Sequence, residues 1–150
     1  MTFEQMNLDK NIIQALHTLG YEKPLPVQEQ VIPNILSGKD CIVKSRTGSG
    51  KTASFAIPII QNLEIDERSP QVLVLTPTRE LALQIQQDFD RIGTFKKIKT
   101  LPIFGKQPFK FQKEDLKQRC HVVIGTPGRV LDHLQQQTLD PSKIKYVVLD

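Results

Sequence analysis

Apolar positions along the chain switch between two periods. From Asp9 to Leu19 they recur at helical spacing (Ile12, Ile13, Leu16, Leu19), and Gly20 follows as a stop. Pro26 to Ser37 repeats the pattern with Val27, Val31, Ile32, Ile35 and Leu36, framed by a leading proline and Gly38. Four short apolar, β-branched runs then read as strands: Cys41–Lys44, Gln71–Leu75, His121–Ile124 and Lys145–Leu149. A weaker one spans Ile98–Ile103, interrupted by Pro102. Helical stretches near Gly50–Leu63, Arg79–Ile92, Phe109–Lys117 and Arg129–Gln136 separate them. Strands that are apolar throughout and alternate with helices predict a parallel sheet covered on both faces, an α/β doubly wound fold. There is no internal repeat and no linker, and the short polar tract Gln135–Gln137 reads as a helix end.

A length of 150 residues suits one domain with a real hydrophobic core. Apolar content of 39% and charged content of 24% are ordinary for a globular protein. No apolar run approaches the roughly 18 residues that span a bilayer. The polar, acidic start from Met1 to Lys10 lacks the basic-then-apolar layout of a secretory signal. The expectation is a cytoplasmic protein without a membrane partner. Cys41 and Cys120 lie far apart in apolar runs and are expected to be buried, reduced thiols. A formal charge of +4 permits an anionic partner without demonstrating one.

The chemistry concentrates in Ser45-Arg46-Thr47-Gly48-Ser49-Gly50-Lys51-Thr52, placed after an expected strand and opening an expected helix. That context is what a phosphate-binding loop requires. Gly48 and Gly50 allow positive φ and close approach of backbone to a pyrophosphate. N–H groups of the loop and the positive end of the following helix then hold the anion. Lys51 can reach the terminal phosphates, and the Thr52 hydroxyl can ligate magnesium. Tyr146-Val147-Val148-Leu149-Asp150 has the form of the partner strand, an apolar run ending in a carboxylate. Alone, such an aspartate is an ordinary cap or turn residue; beside Lys51 and Thr52 it reads as the second magnesium ligand.

Five segments in order resemble the DEAD-box RNA helicases. Gly20-Tyr21-Glu22-Lys23-Pro24-Leu25-Pro26-Val27-Gln28 looks like the glutamine motif, with Phe3 at the upstream aromatic position. The phosphate loop matches motif I, Pro77-Thr78-Arg79-Glu80-Leu81-Ala82 is similar to motif Ia, and Thr126-Pro127-Gly128-Arg129 to motif Ib. Val147 to Asp150 looks like the run into motif II. The resemblance covers the chain and implies an N-terminal RecA-like ATP-binding domain over 1–150, incomplete at its C-terminal end, with the glutamine-motif region over 3–28. It implies ATP and Mg2+ as cofactors, held by Ser45, Thr47, Gly48, Ser49, Gly50, Lys51, Thr52 and Asp150. Gln28 would read the adenine edge, since a carboxamide both donates and accepts, while Tyr21 or Phe3 contacts the base.

Both Pro77–Ala82 and Thr126–Arg129 follow a strand and open a helix, where N–H groups can face an anion. The resemblance makes that anion the RNA sugar-phosphate backbone, contacted by Pro77, Thr78, Arg79, Gly105, Thr126, Pro127, Gly128 and Arg129. Such contacts position a strand and carry little sequence information. Phe104 to Leu116 with Gly125 to Leu134 resembles the DbpA-type bacterial group, implying large-subunit ribosomal RNA and ribosome-assembly factors as partners. The chain departs from the family pattern at Leu25 (usually threonine), at Arg46 (usually glutamine) and at Lys106, where a second glycine often follows the first.

The resemblance also places a water-activating glutamate directly after Asp150 and an arginine finger in a second domain. The 150 residues alone are therefore expected to bind ATP without turnover. The strand that follows motif II in RecA-like folds inserts between the phosphate-loop strand and the motif II strand, so a slot in the sheet is expected without it. His17, His121 and His133 share no metal-ligand spacing. Asp132-His133 reads as a solvated helix face, and Lys96, Lys97 and Lys99 as a charged edge that discourages strand pairing. Two other readings stay open: a non-catalytic RNA- or nucleotide-binding module, and a DNA-directed motor of the same ATPase lineage.

Overall fold

The computed structural model describes residues 1–46 and 48–150. Thr47, expected to bind nucleotide, lies outside them. The chain forms two compact units, Met1–Leu63 with Asp88–Lys97, and Glu64–Gln87 with Ile98–Asp150.

In the first unit, α1 (Lys10–Thr18), α2 (Pro26–Leu36) and α3 (Lys51–Gln61) form where the helical spacing placed them. Pro26 starts α2 because its missing N–H belongs to a position with no intrahelical partner. Every residue of α3 from Ala53 to Ile60 is buried, so this helix is apolar all round rather than amphipathic. Ile12, Leu16, Ile32, Ile57, Ile60, Phe89 and Ile92 make the core, with the Phe55 and Phe89 rings tilted at 6.1 Å between centroids. Lys96 corrects the expected charged edge. Its ammonium donates to the carbonyls of Ile60 (2.7 Å) and Gln61 (2.9 Å) at the C-terminal end of α3, with Asp9 at 3.5 Å. Carbonyls left over at a helix end attract a cation, which outweighs solvation of the lysine tip.

The second unit holds a parallel sheet in the order β2-β3-β1-β4, from β1 (Val72–Leu75), β2 (Thr100–Ile103), β3 (Val122–Gly125) and β4 (Tyr146–Leu149). The crossovers run through α4 (Arg79–Ile92), whose last turn belongs to the first unit, α5 (Phe109–Leu116) and α6 (Pro127–Gln135). Leu73, Ile103, Cys120, Val123, Val130 and Leu139 form its core. A Cβ on Gly125 would stand 2.4 Å from the Ile103 carbonyl oxygen, so only glycine lets β2 and β3 close up there.

Three expectations fail. Cys41–Lys44 forms no strand, Ile42 is fully exposed, and Cys41 is an exposed rather than a buried thiol. An apolar run becomes a strand only when a neighbouring ladder pairs its amides, and β4, the outermost described strand, pairs with β1 alone. The sheet is also not covered on both faces at β4, where Val147 is 59% and Leu149 78% exposed.

Candidate functional site

In the first unit two glycines ahead of α3 adopt positive φ. Gly48 has φ +78° and Gly50 φ +86°, both in the left-handed region that β-carbons disfavour. Gly50 is the N-cap of α3 and has no side chain to offer the first-turn N–H groups. Ser49 donates through its hydroxyl to Ser45 Oγ at 3.0 Å, and its N–H donates to the Arg46 carbonyl at 3.2 Å, so the loop is braced across its own mouth. Lys51 and Thr52 are half-buried on the first turn of α3, while the Arg46 side chain is exposed.

Gln28 is 3% exposed and committed to backbone. Its Oε1 accepts the Leu25 N–H at 2.9 Å, and its Nε2 donates to the Gly50 carbonyl at 3.2 Å. The first bond is the return half of a capping box; leucine at the N-cap has no oxygen to supply the other half. A Cβ on Gly50 would meet Gln28 Nε2 at 2.6 Å and Leu25 Cδ1 at 2.7 Å, so loop and glutamine fit only because residue 50 is glycine. One donor hydrogen and one lone pair of the carboxamide remain for a base. The two aromatic residues differ in placement. Phe3 is 1% exposed, its ring packed in the core. Tyr21 is half-buried, and burial together with the Asp88 carboxylate pushes its phenol up while Arg91 opposes. Asp88 is itself raised, first by burial, with Arg91 again opposing.

In the second unit the strand register lines up the C-terminal ends of all four strands: Ile103 and Leu75 each oppose Gly125, and Leu75 opposes Leu149. The residues that follow therefore share one edge, the place where open parallel sheets put their ligands. Pro77, Thr78 and Arg79 are exposed after β1, Gly105 after β2, and Pro127 and Gly128 after β3 with Thr126 half-buried. Asp150 follows β4, its N–H extending the ladder to the Leu75 carbonyl at 3.0 Å. Thr78 Oγ1 accepts the Leu81 N–H at 3.2 Å and caps α4, keeping its own hydroxyl proton. The Arg79 guanidinium lies 4.9 Å over the Phe104 ring, which fixes a cation beside Gly105. Thr126 is the N-cap of α6 and Pro127 its first residue, and no side chain caps that turn.

Arg129, which the resemblance assigns to the RNA backbone, is held by neighbouring groups. Its side chain is 16% exposed and reaches sideways. Nη1 donates to the Gln107 carbonyl (2.7 Å) and to Gln112 Oε1 (3.0 Å), with Asp132 at 3.7 Å from Nε. His133, expected on a solvated face, is buried. Its ring stacks on Phe109 at 4.1 Å, Nε2 meets Gln112 Oε1 at 2.9 Å and Nδ1 meets Thr138 Oγ1 at 2.7 Å. Burial lowers its pKa, Arg129 lowers it further and Asp132 opposes them. The missed signal is spacing: His133 lies three residues after buried Val130, one helical turn along the same face. His121 is likewise buried, with Nδ1 accepting the Lys99 N–H at 2.8 Å and Nε2 at 2.9 Å from the Ile65 carbonyl. His17 instead pairs with Glu4 at the surface, 2.8 Å away. No described helix is long and apolar enough to cross a membrane.

Residues 25–150 match the family described as DEAD/DEAH box helicase. The chain is 51% identical over 148 residues to the ATP-dependent RNA helicase DbpA of Bacillus subtilis (strain 168), covering 99% of this chain and 31% of that protein. It is 45% identical over 152 residues to the ATP-dependent RNA helicase DeaD of Escherichia coli (strain K12), covering 99% of this chain and 24% of that protein. Among solved structures, a DEAD box protein from the hyperthermophile Methanococcus jannaschii superposes with a TM-score of 0.94 at 41% identity, over 100% of this chain and 41% of that one. Saccharomyces cerevisiae Dbp5 bound to RNA and ADP BeF3 superposes with a TM-score of 0.90 at 30% identity, over 99% of this chain and 38% of that one. The chain thus spans less than half the length of each of these relatives.

Proposed function

The chain belongs to the DEAD/DEAH box helicase family, and from that premise we propose that it is the ATP-binding part of an ATP-dependent RNA helicase, an enzyme that couples ATP hydrolysis to local RNA strand separation. The observation that carries the ATP reading is the pair of positive-φ glycines, Gly48 and Gly50, directly ahead of α3, with Gln28 bonded to the second. A cradle that any β-carbon would strain fits an anion held by backbone amides.

In this reading Lys51 supplies the charge that the terminal phosphates attract, and Gln28 joins base recognition to the phosphate loop. Tyr21 flanks the base, and so would Phe3 if its ring turned outward. Magnesium, when bound, neutralises phosphate charge. Thr52 and Asp150 are assigned to it because hydroxyl and carboxylate oxygens are the hard donors this ion prefers. Thr78, Arg79, Gly105, Thr126 and Arg129 form the RNA edge, with Pro77, Pro127 and Gly128 shaping its helix starts. Ribosomal RNA is the favoured substrate and ribosome-assembly factors the favoured partners, on the resemblance of the segment from Phe104 to Leu116 to the DbpA-type group. A cytoplasmic location accords with the buried reduced thiol of Cys120.

Titration of a fluorescent ATP analogue tests the first part. Lys51→Ala should weaken binding roughly 10- to 100-fold, the worth of a charge-assisted bond, and equal affinity would refute the loop assignment. A labelled RNA strand competed with DNA of the same sequence separates an RNA motor from a DNA-directed one. Turnover with and without RNA separates a motor from a non-catalytic binding module.

A further inference from the structure

The RNA edge rests on a buried polar hub that no motif contains. Gln112, on α5, is buried, and its described side-chain bonds go to Phe104, Arg129 and His133. Its Nε2 donates to the Phe104 carbonyl at 2.9 Å, directly beside Gly105. Its Oε1 accepts twice, from Arg129 Nη1 at 3.0 Å and from His133 Nε2 at 2.9 Å. Phe104 in turn carries Arg79 on its ring, and Arg129 also holds the Gln107 carbonyl of the same turn. One carboxamide therefore links the turn after β2 to two residues of α6.

The geometry fixes the roles of these atoms. A carbonyl oxygen can only accept, so Gln112 must present its amide nitrogen to Phe104 and its oxygen to Arg129. With the oxygen an acceptor, His133 must carry its proton on Nε2. The Nδ1 side is held by Thr138, and the Phe109 ring stacks on the imidazole. Arg129 spends Nη1 on this hub and the Gln107 carbonyl, while Nη2 stays in a fixed plane. A planar fork held on one side recognises a phosphate in a single orientation.

We propose that Gln112 and His133 are positioning residues for RNA: they lock the Arg129 guanidinium against the turn after β2, and they act on RNA only through that arginine. This rests on the RNA reading above but assigns function to two residues outside the motif segments. Loss of the lock leaves Arg129 held by the Gln107 carbonyl and Asp132 without the hub and loosens the turn around Gly105, while the phosphate loop in the other unit keeps its own bonds.

The test is a double-mutant cycle on the affinity of the protein for a labelled single-stranded oligouridylate, with fluorescent-ATP affinity and thermal unfolding recorded alongside. Gln112→Met keeps side-chain length and removes every hydrogen bond. It should weaken RNA binding severalfold, the size of coupling common for contacting residues, with ATP affinity unchanged. In an Arg129→Ala background the same substitution should have no further effect on RNA. Additive losses would overturn the proposal, as would unchanged RNA affinity in Gln112→Met. Should Gln112→Met fail to fold, His133→Asn replaces it, since the shorter amide reaches Thr138 and releases Gln112, with the same outcomes expected. If Arg129→Ala binds RNA as well as the unmodified protein, the RNA reading of this edge is wrong and the proposal falls with it. If Arg129→Ala weakens RNA but Gln112→Met does not, only the positioning role fails.

Discussion

The Gln28 carboxamide nitrogen lies 3.2 Å from the Gly50 carbonyl oxygen, so the residue proposed to read the base also holds the loop proposed to hold the phosphates. This bond changes what a substitution at Gln28 should do. If Gln28 touched only adenine, Gln28→Ala would weaken ATP and leave GTP alone. Because it also braces Gly50 and caps Leu25, the variant should weaken both, ATP by about fivefold more, the worth of one hydrogen bond near 1 kcal/mol. Titrations of fluorescent ATP and GTP analogues measure the two losses. Equal losses would leave Gln28 a purely structural brace.

Lys106 offers a stability test. It stands where the family pattern often has a second glycine, and its φ is +65°. The left-handed conformation costs a β-carbon about 1–2 kcal/mol, and the extra freedom of glycine in the unfolded chain returns about 0.4–1 kcal/mol of that. Lys106→Gly should therefore stabilise the protein by up to about 1.6 kcal/mol, seen as a raised midpoint in urea. A lowered midpoint would mean that the lysine side chain makes contacts worth more than the backbone strain.

The two cysteines should behave oppositely. Cys41 is exposed, whereas Cys120 is buried with its pKa pushed up to about 12, chiefly by desolvation and despite a backbone hydrogen bond at Val122. A thiol held neutral and inaccessible does not react. With a chromogenic disulfide reagent near pH 8, one thiol should react rapidly in the native protein and two after unfolding. Cys41→Ser should abolish the rapid phase. Two rapid equivalents in the unmodified protein would contradict the packing of Cys120 against Leu73 and Val123.

His133 makes stability depend on acid. Its pKa is lowered by burial and by Arg129, against the pull of Asp132. The folded protein therefore resists a proton that the unfolded chain accepts. The stability tied to this group is complete above the ordinary histidine value of about 6.5 and is lost as pH falls from there through the lowered value. The loss cannot exceed about 1.4 kcal/mol per pH unit. Urea unfolding at pH 7 and pH 5.5 should show a larger drop for the unmodified protein than for His133→Asn. Identical drops would show that this histidine does not resist protonation.

Much of this was legible in the chain itself, because periodicity reports burial. α4 was bounded correctly from its spacing, and the other helices and four of the five strands were placed within a residue or two. The glycine pattern also foretold positive φ at Gly48 and Gly50. The failures share one cause. Cys41–Lys44 has the composition of a strand, but pairing depends on a neighbour that local sequence does not specify. Polarity places His133 outside, whereas its spacing from Val130 places it inside. The place of the Arg129 guanidinium is not legible in the sequence either, because it bonds to Gln112, 17 residues upstream on another helix. Side-chain hydrogen bonds between separate elements leave no periodic trace.

The outer strand β4 carries a practical consequence. Its ladder is satisfied on the β1 side, and Val147 and Leu149 stand in water on one face. Two aliphatic side chains exposed side by side on one face of a strand form an apolar patch that invites other chains to dock. Solubility should accordingly be limited by self-adhesion, so that turbidity grows with protein concentration and with sulfate, and recedes when a lysine is installed at position 147.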